Sequence, residues 1–176
     1  MEMLKGIYGE LMALRFKREA PKLLENLFSG WFRTQYGVVF EVVEESKDLR
    51  LRNHWGIAQT RPDVLAAIAS FKDNLIVKWA SERKDVGTLE EIQKDINLVT
   101  ALEKFDKGLF ELAMTVPVTV QDRPVFVLFL GKPTADAPVA LDFKQFQPIL
   151  AALSMSLVKI GAKDARPSFS TFMPGS

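Results

Sequence analysis

The chain carries one histidine, His54, and no cysteine, so few of its side chains could do covalent or metal chemistry. His54 sits in R-N-H-W-G. An imidazole titrates near neutrality and could serve there as acid, base or ligand contact. No nucleophile, carboxylate spacing or metal motif accompanies it, which leaves a surface histidine at a strand end as the plainer account. The missing cysteine excludes disulfides, thiolate nucleophiles, iron–sulfur clusters and cysteine-based zinc sites. There is no G-x-S-x-G and no glycine loop to cradle phosphate. A small enzyme is the least favoured class, and no cofactor or metal is expected.

Glu41 and Arg52 are the next pair with chemical content. If the E-S-K-D cluster turns a hairpin so that Glu44 opposes Leu49, Glu41 faces Arg52 across the strands. Such a pair either recognises a polar ligand or is a cross-strand charge match contributing roughly a few tenths of a kcal/mol. A basic cluster, Arg15, Lys17, Arg18 and Lys22, is flanked by acidic residues and reads as a solvated helix end. With 23 basic against 22 acidic residues the formal charge is +1, so no net field draws the chain to nucleic acid or to acidic lipid. No apolar run approaches the roughly 20 residues of a bilayer span. The N-terminus is amphipathic rather than signal-like. A cytoplasmic location is the default expectation.

These residues must be held by elements that the hydrophobic pattern lays out. The 176 residues are 48% hydrophobic and 26% charged, an ordinary balance for one globular domain. Leu4, Ile7, Leu11 and Leu14 recur at helical spacing. Pro21 opens a second helix that runs to about Arg33 with Leu24, Leu27, Phe28 and Trp31 as its buried stripe. V-V-F-E-V-V and L-R-L-R-N-H-W form a hairpin, and Val64 to Phe71 a short helix. N-L-I-V-K-W-A, residues 74–80, has strand composition. Thr88 and Glu91 make a capping box, and the pattern from Leu89 through Ile92, Ile96, Val99, Leu102 and Phe105 predicts one long helix ending before Gly108.

Residues 110–131, F-E-L-A-M-T-V-P-V-T-V-Q-D-R-P-V-F-V-L-F-L-G, are the most patterned part of the chain. Leu112, Met114, Val116, Val118 and Val120 point one way; Glu111, Ala113, Thr115, Pro117 and Thr119 point the other. After the Q-D-R-P turn, V-F-V-L-F-L is apolar on both faces and belongs in the centre of a sheet roofed by helices on each side. A closing helix carries Phe146, Ile149, Leu150, Leu153, Leu157 and Ile160. Pro148 calls for a short first turn or a kink in it. Residues 162–176, rich in Pro, Ser and Gly, read as a flexible tail.

The element order, together with V-P-V-T-V-Q-D-R-P-V-F-V-L-F-L-G followed by L-D-F-K-Q-F-Q-P-I-L-A-A-L-S-M-S-L-V-K-I, resembles the GAF domain family over roughly Pro21 to Gly161. The resemblance implies an α+β fold. Its centre is an antiparallel sheet of five or six strands, with the terminal helices on one face and the middle helices with a small-molecule cavity on the other. Residues 1–20 would be an amphipathic helix before the domain. A PAS-like sheet is the alternative fold, disfavoured because this chain begins and ends with long helices. Where the family often has glycine, this sequence has Phe126, which must repack one face of the sheet. Members that use cysteine chemistry are excluded as guides.

The resemblance places Trp55 and Trp79 at strand ends near the mouth of the cavity, with core packing as the plain alternative. It lets Thr115 and Glu111 line the same hollow, where a carboxylate needs a partner. The stripe Leu4, Ile7, Leu11 and Leu14 either packs on its own domain or meets a second subunit. The expected role is a non-catalytic sensory or regulatory module that binds an unidentified small molecule, forms a homodimer or meets a regulatory protein partner, or does both. The alternative is a module with a filled pocket that only docks proteins; Phe126 favours it. From length alone, the output would lie on another polypeptide, or the chain would be a fragment of a longer one.

Overall fold

A computed structural model describes residues 2–43, 45–46, 48–56, 74–106 and 111–175, with backbone only at 2–4, 105–106 and 163–175. The helix expected at Val64–Phe71 lies outside the described residues, as do Glu44, Gly108 and the side chains of Leu4 and Phe105.

Helix α1 spans Glu2–Ala13. A 3-10 turn, Lys17–Glu19, leads into α2, Ala20–Glu25, with Pro21 in its first turn, where its missing N–H is no loss. The expected helix to Arg33 is not α-helical throughout: Asn26–Trp31 winds as a π segment. The N–H of Phe32 reaches the carbonyl of Leu27, and that of Thr34 reaches Phe28. The wider turn lets Leu27, Phe28 and Phe32 all point inward, and all three are fully buried.

Strands β1, Gly37–Val42, and β2, Leu49–Trp55, form the expected hairpin. Residues 74–80 overturn the strand expectation, because Leu75–Ser81 is helix α3. The side chain of Asn74 accepts the N–H of Ile76 at 2.8 Å and so caps the first turn. Ile76, Val77 and Ala80 then fall on one helical face and are buried. The β-branched composition is overridden by that cap and that spacing.

A two-residue strand β3, Gly87–Thr88, precedes α4, Leu89–Gln93. The capping box forms: the Thr88 hydroxyl accepts the N–H of Glu91 at 3.2 Å, and the Glu91 carboxylate accepts that of Thr88 at 3.4 Å. The single long helix is in fact two. Helix α5, Ile96–Asp106, restarts after a break at which the Asp95 carboxylate accepts the N–H of Asn97 at 2.9 Å. The break also turns the buried face: α4 buries Ile92, whereas α5 buries Leu98 and Ala101 and leaves Ile96, a member of the expected stripe, 74% exposed.

Strands β4, Leu112–Val120, and β5, Arg123–Gly131, complete a five-stranded antiparallel sheet of order β2-β1-β5-β4-β3. Helix α6 runs from Phe143 to Gly175. It runs through Pro148 as one helix rather than opening with a separate short turn, and Pro148 lies on its exposed side. The helix also continues through the Pro/Ser/Gly-rich stretch from residue 162 that composition assigns to a tail.

Both faces of the sheet are roofed, as the doubly apolar β5 requires. Phe126, Leu128 and Leu130 pack with Val39, Val116, Phe28 and Phe146 under the terminal helices. Val127 and Phe129 pack with Val38, Phe40, Ile76, Ile92 and Leu98 under the middle helices. One register detail corrects the simple alternation of β4. Leu112 pairs with Gly131 and Met114 with Leu130, so Ala113 is bulged out of the ladder. The extra residue inverts parity, and Leu112 joins the middle-helix core while Val116 and Val118 lie opposite.

Candidate functional site

On the middle-helix side, α3 and the turn after it set Trp79 and Arg83 over the β3–β4 end of the sheet. The Trp79 ring lies against Gly87, where an added Cβ would come within 2.7 Å of it and would also collide with the Thr115 hydroxyl. Thr115 is buried. Trp79 and Thr115 are therefore brought together, though Trp79 comes from a helix rather than a strand end. Arg83 stacks on the indole with its guanidinium carbon 4.6 Å from the ring centroid. Its Nη2 donates to the Glu91 carboxylate at 2.7 Å and to the Val86 carbonyl at 3.3 Å. Its Nε–H is buried with no acceptor. Neither Arg83 nor Glu91 stands out in the sequence as a binding residue; one lies in a charged loop and the other in a helix cap.

The other two expected pocket residues lie elsewhere. Trp55 packs on the terminal-helix side, the opposite face from Trp79, and its indole N–H donates to the buried Thr34 hydroxyl at 3.2 Å. Glu111 is exposed just before β4, with a φ of 43°, and the N–H of Lys132 donates to its carbonyl at 3.2 Å. Phe126 also faces the terminal helices, so its bulk fills that side and not the space beneath α3–α5. His54 is half-buried on β2 opposite Val38.

Glu41 and Arg52 do meet, Nε to Oε1 at 2.7 Å, although the register sets Glu41 opposite Arg50. A bulge between Val39 and Phe40 lets Arg52 reach across diagonally. Lys17 adds a third charge, 2.9 Å from the same carboxylate. Burial pushes the Glu41 carboxyl up, but the hydrogen bonds from Lys17 and Arg52 outweigh it and hold the group below its ordinary 4.5. A depressed folded pKa contributes stability above the unfolded value, and that stability is lost as pH falls through the folded one. Thermal melts between about pH 7 and 3 should therefore show a steeper acid loss of Tm for the wild type than for Glu41→Gln. Parallel slopes would remove this carboxylate from the acid transition.

On the terminal-helix side, α1 runs beside α2 and the π segment. Between them opens a groove of about 310 Å³ lined by Gly6, Ile7, Glu10, Glu25, Asn26, Ser29 and Gly30. Asn26 bridges it by donating to Glu10 at 3.3 Å. Of the stripe proposed for a second subunit, Ile7 and Leu11 are buried in the domain's own core and Leu14 packs against it. The Ser156 hydroxyl of α6 donates to the Leu11 carbonyl at 3.4 Å and ties the two helices. What α1 and α6 expose instead is Tyr8 at 38%, Met12 at 88%, Met155 at 63% and Val158 at 38%. Among the described residues, no cluster of His, Asp and Glu is placed to hold a metal ion, and no helix is long and apolar enough to cross a membrane.

A five-stranded antiparallel sheet with terminal helices on one face and a middle helical layer on the other defines a GAF-like domain fold. The solved structures agree. A methyl-accepting chemotaxis protein fragment, residues 122 to 287, superposes with a TM-score of 0.64 at 12% identity over 92% of this chain and 99% of that one. The GAF domain of a phosphoenolpyruvate-protein phosphotransferase from Coxiella burnetii gives 0.61 at 16% identity, covering 93% and 95%. Its counterpart from Acinetobacter gives 0.59 at 16% identity, covering 92% and 93%. No family model matches the sequence, and no curated protein does. At 12–16% identity the likeness is one of fold.

Proposed function

We propose that this chain is a non-catalytic sensory or regulatory GAF-like module that works as a homodimer through its terminal helices. The observation that carries this is the apolar strip of Tyr8, Met12, Met155 and Val158 on helices already joined by the Ser156–Leu11 bond. Side chains of that size left in water, on two adjoining helices, suit an isologous contact with a second copy. The similar folds of a methyl-accepting chemotaxis protein and of phosphoenolpyruvate-protein phosphotransferases support a regulatory setting. The lack of cysteine and the single histidine support a role without catalysis. The mechanism is a population shift. β5 presents alternate side chains to both helical layers, so an event that favours one packing of α3–α5 also biases the seating of α1 and α6.

Light scattering tests it directly. The wild type should run as a dimer, and Met12→Glu with Met155→Glu should run as a folded monomer. A wild type that is monomeric at high concentration would end the dimer reading.

Small-molecule binding on the middle-helix side is a second reading, favoured by the buried Arg83 Nε–H without an acceptor beside Trp79. An orphaned buried donor is costly unless a ligand or water meets it. Native mass spectrometry of protein taken from cells should show retained mass that Arg83→Ala loses. If nothing is retained, a filled module that docks proteins gains.

A further inference from the structure

We propose that the connection between α1 and α2 is a docking point for an acidic peptide segment of a partner protein, with Arg15 and Arg18 binding carboxylates and Phe16 supplying the apolar contact between them. The inference is independent of the dimer strip and of the Arg83 site. It concerns the basic cluster that the sequence leaves as a solvated helix end.

The backbone there is held in one shape. The Glu19 carboxylate accepts the N–H groups of Arg15 at 2.9 Å and Phe16 at 2.8 Å. Those two bonds, with a smaller pull from the Arg18 and Arg15 charges, hold its pKa below the ordinary carboxylate value. With the turn fixed, the side chains divide. Leu14 packs on the terminal-helix core, and Lys17 turns toward Glu41 and lies 5.8 Å over the Phe126 ring. Arg15, Phe16 and Arg18 are left outward.

Phe16 is 47% exposed, with the Arg18 guanidinium stacked 4.5 Å above its ring. Neither Arg15 nor Arg18 has an ion-pair partner among the described residues. Both charges act on the Glu19 carboxylate without closing an ion pair, which leaves two guanidinium groups open to a further carboxylate beside an aromatic ring half in water. Each guanidinium is planar and can take a carboxylate with two hydrogen bonds. Lys17 links this turn to Glu41, which also pairs with Arg52 and lies opposite Arg50, so the neighbouring hairpin adds further cations beyond the turn.

The charge and shape favour a short acidic peptide over the other anionic partners. Arg18 covers one face of Phe16, so the ring does not project as a wedge into lipid. Glu19 and Glu41 interrupt the cations, and Glu45 and Asp48 follow in the hairpin turn beyond Arg50, which disfavours a long phosphate polymer. A segment with acidic residues flanking an apolar one matches the Arg15–Phe16–Arg18 order.

The test is an anisotropy titration of a fluorescein-labelled peptide of alternating Glu and Leu, with far-UV dichroism and melts on every variant to confirm folding. The wild type should bind, and Arg15→Glu with Arg18→Glu should weaken binding by about tenfold or more. Phe16→Ser should weaken it by a smaller factor that persists as salt rises, and Lys94→Glu, on a remote surface, should change nothing. Equal affinity for the wild type and the double-arginine variant overturns the proposal. So does a wild type that leaves the peptide free, whether or not it binds phosphatidylserine vesicles or single-stranded DNA, either of which would give the patch to another class of partner.

Discussion

Phe146→Ala is expected to lower the unfolding free energy by about 3–5 kcal/mol. Phe146 is fully buried where α6 meets the sheet, with its ring edge-on to Phe28 at 5.3 Å and to Phe32 at 5.6 Å. The two partners are themselves stacked at 5.6 Å and come from the π segment and the residue after it. Truncation removes the apolar transfer term and leaves a cavity bounded by two elements that cannot both close on it. The edge-to-face contacts are lost as well. A domain of this size has a total stability of about 5–15 kcal/mol, so the variant approaches the limit of folding. Urea unfolding measures the loss, and Phe143→Ala is the control, since that ring also touches Phe146 but is 44% exposed. If the two substitutions cost the same, the aromatic cluster does not anchor α6.

Gly37→Ala should cost about 2–4 kcal/mol although it adds only a methyl group. A Cβ on Gly37 would come within 1.9–2.3 Å of three atoms of the six-membered ring of Trp55. That ring cannot step aside freely. Trp55 is 7% exposed, and its indole N–H is held by the Thr34 hydroxyl, which in turn donates to the Phe28 carbonyl at 3.1 Å. The Trp55 that the family resemblance places at a pocket mouth is thus a structural wedge joining β2, the Thr34 turn and the π segment. The cause can be separated from a general intolerance of β1 by a double-mutant cycle. Trp55→Leu alone should be destabilising, but in its background Gly37→Ala should lose most of its cost. Additive losses would mean that the methyl group collides with something other than the indole.

The two substitutions show what kinds of information the chain displays openly. The two-sided apolar run from Val125 to Leu130 announces a central strand, and β5 is central. The Thr88–Glu91 box marks a helix start, and the helix starts there. Each is a local signal that tertiary contacts do not contradict. The strand composition of residues 74–80 is a weaker guide, because Asn74 and the spacing of Ile76, Val77 and Ala80 favour one helical turn. Asp95, likewise, is a cap in the midst of an unbroken apolar period.

The candidate site is less legible. Thr115 and Trp79 can be paired from the sequence only through the family resemblance, and Arg83 emerges only once the loop after α3 folds back onto the indole. The stripe Ile7, Leu11 and Leu14 is visible, but a period does not say whether its partner is the chain's own sheet or another subunit. Packing assigns Ile7 and Leu11 to the domain core and leaves Tyr8 and Met12 outside.

By itself the sequence determined the class of fold and the chemistry that is out of reach, because periodicity, caps and residue types are properties of short stretches. Only the tertiary structure decided which face each residue serves. A single extra residue, Ala113 on β4 or Arg52 opposite the Val39–Phe40 step, changes the parity or reach of everything beyond it. No local pattern records that choice: it is set by the partner strand's ladder and by which arrangement fills both cores at once.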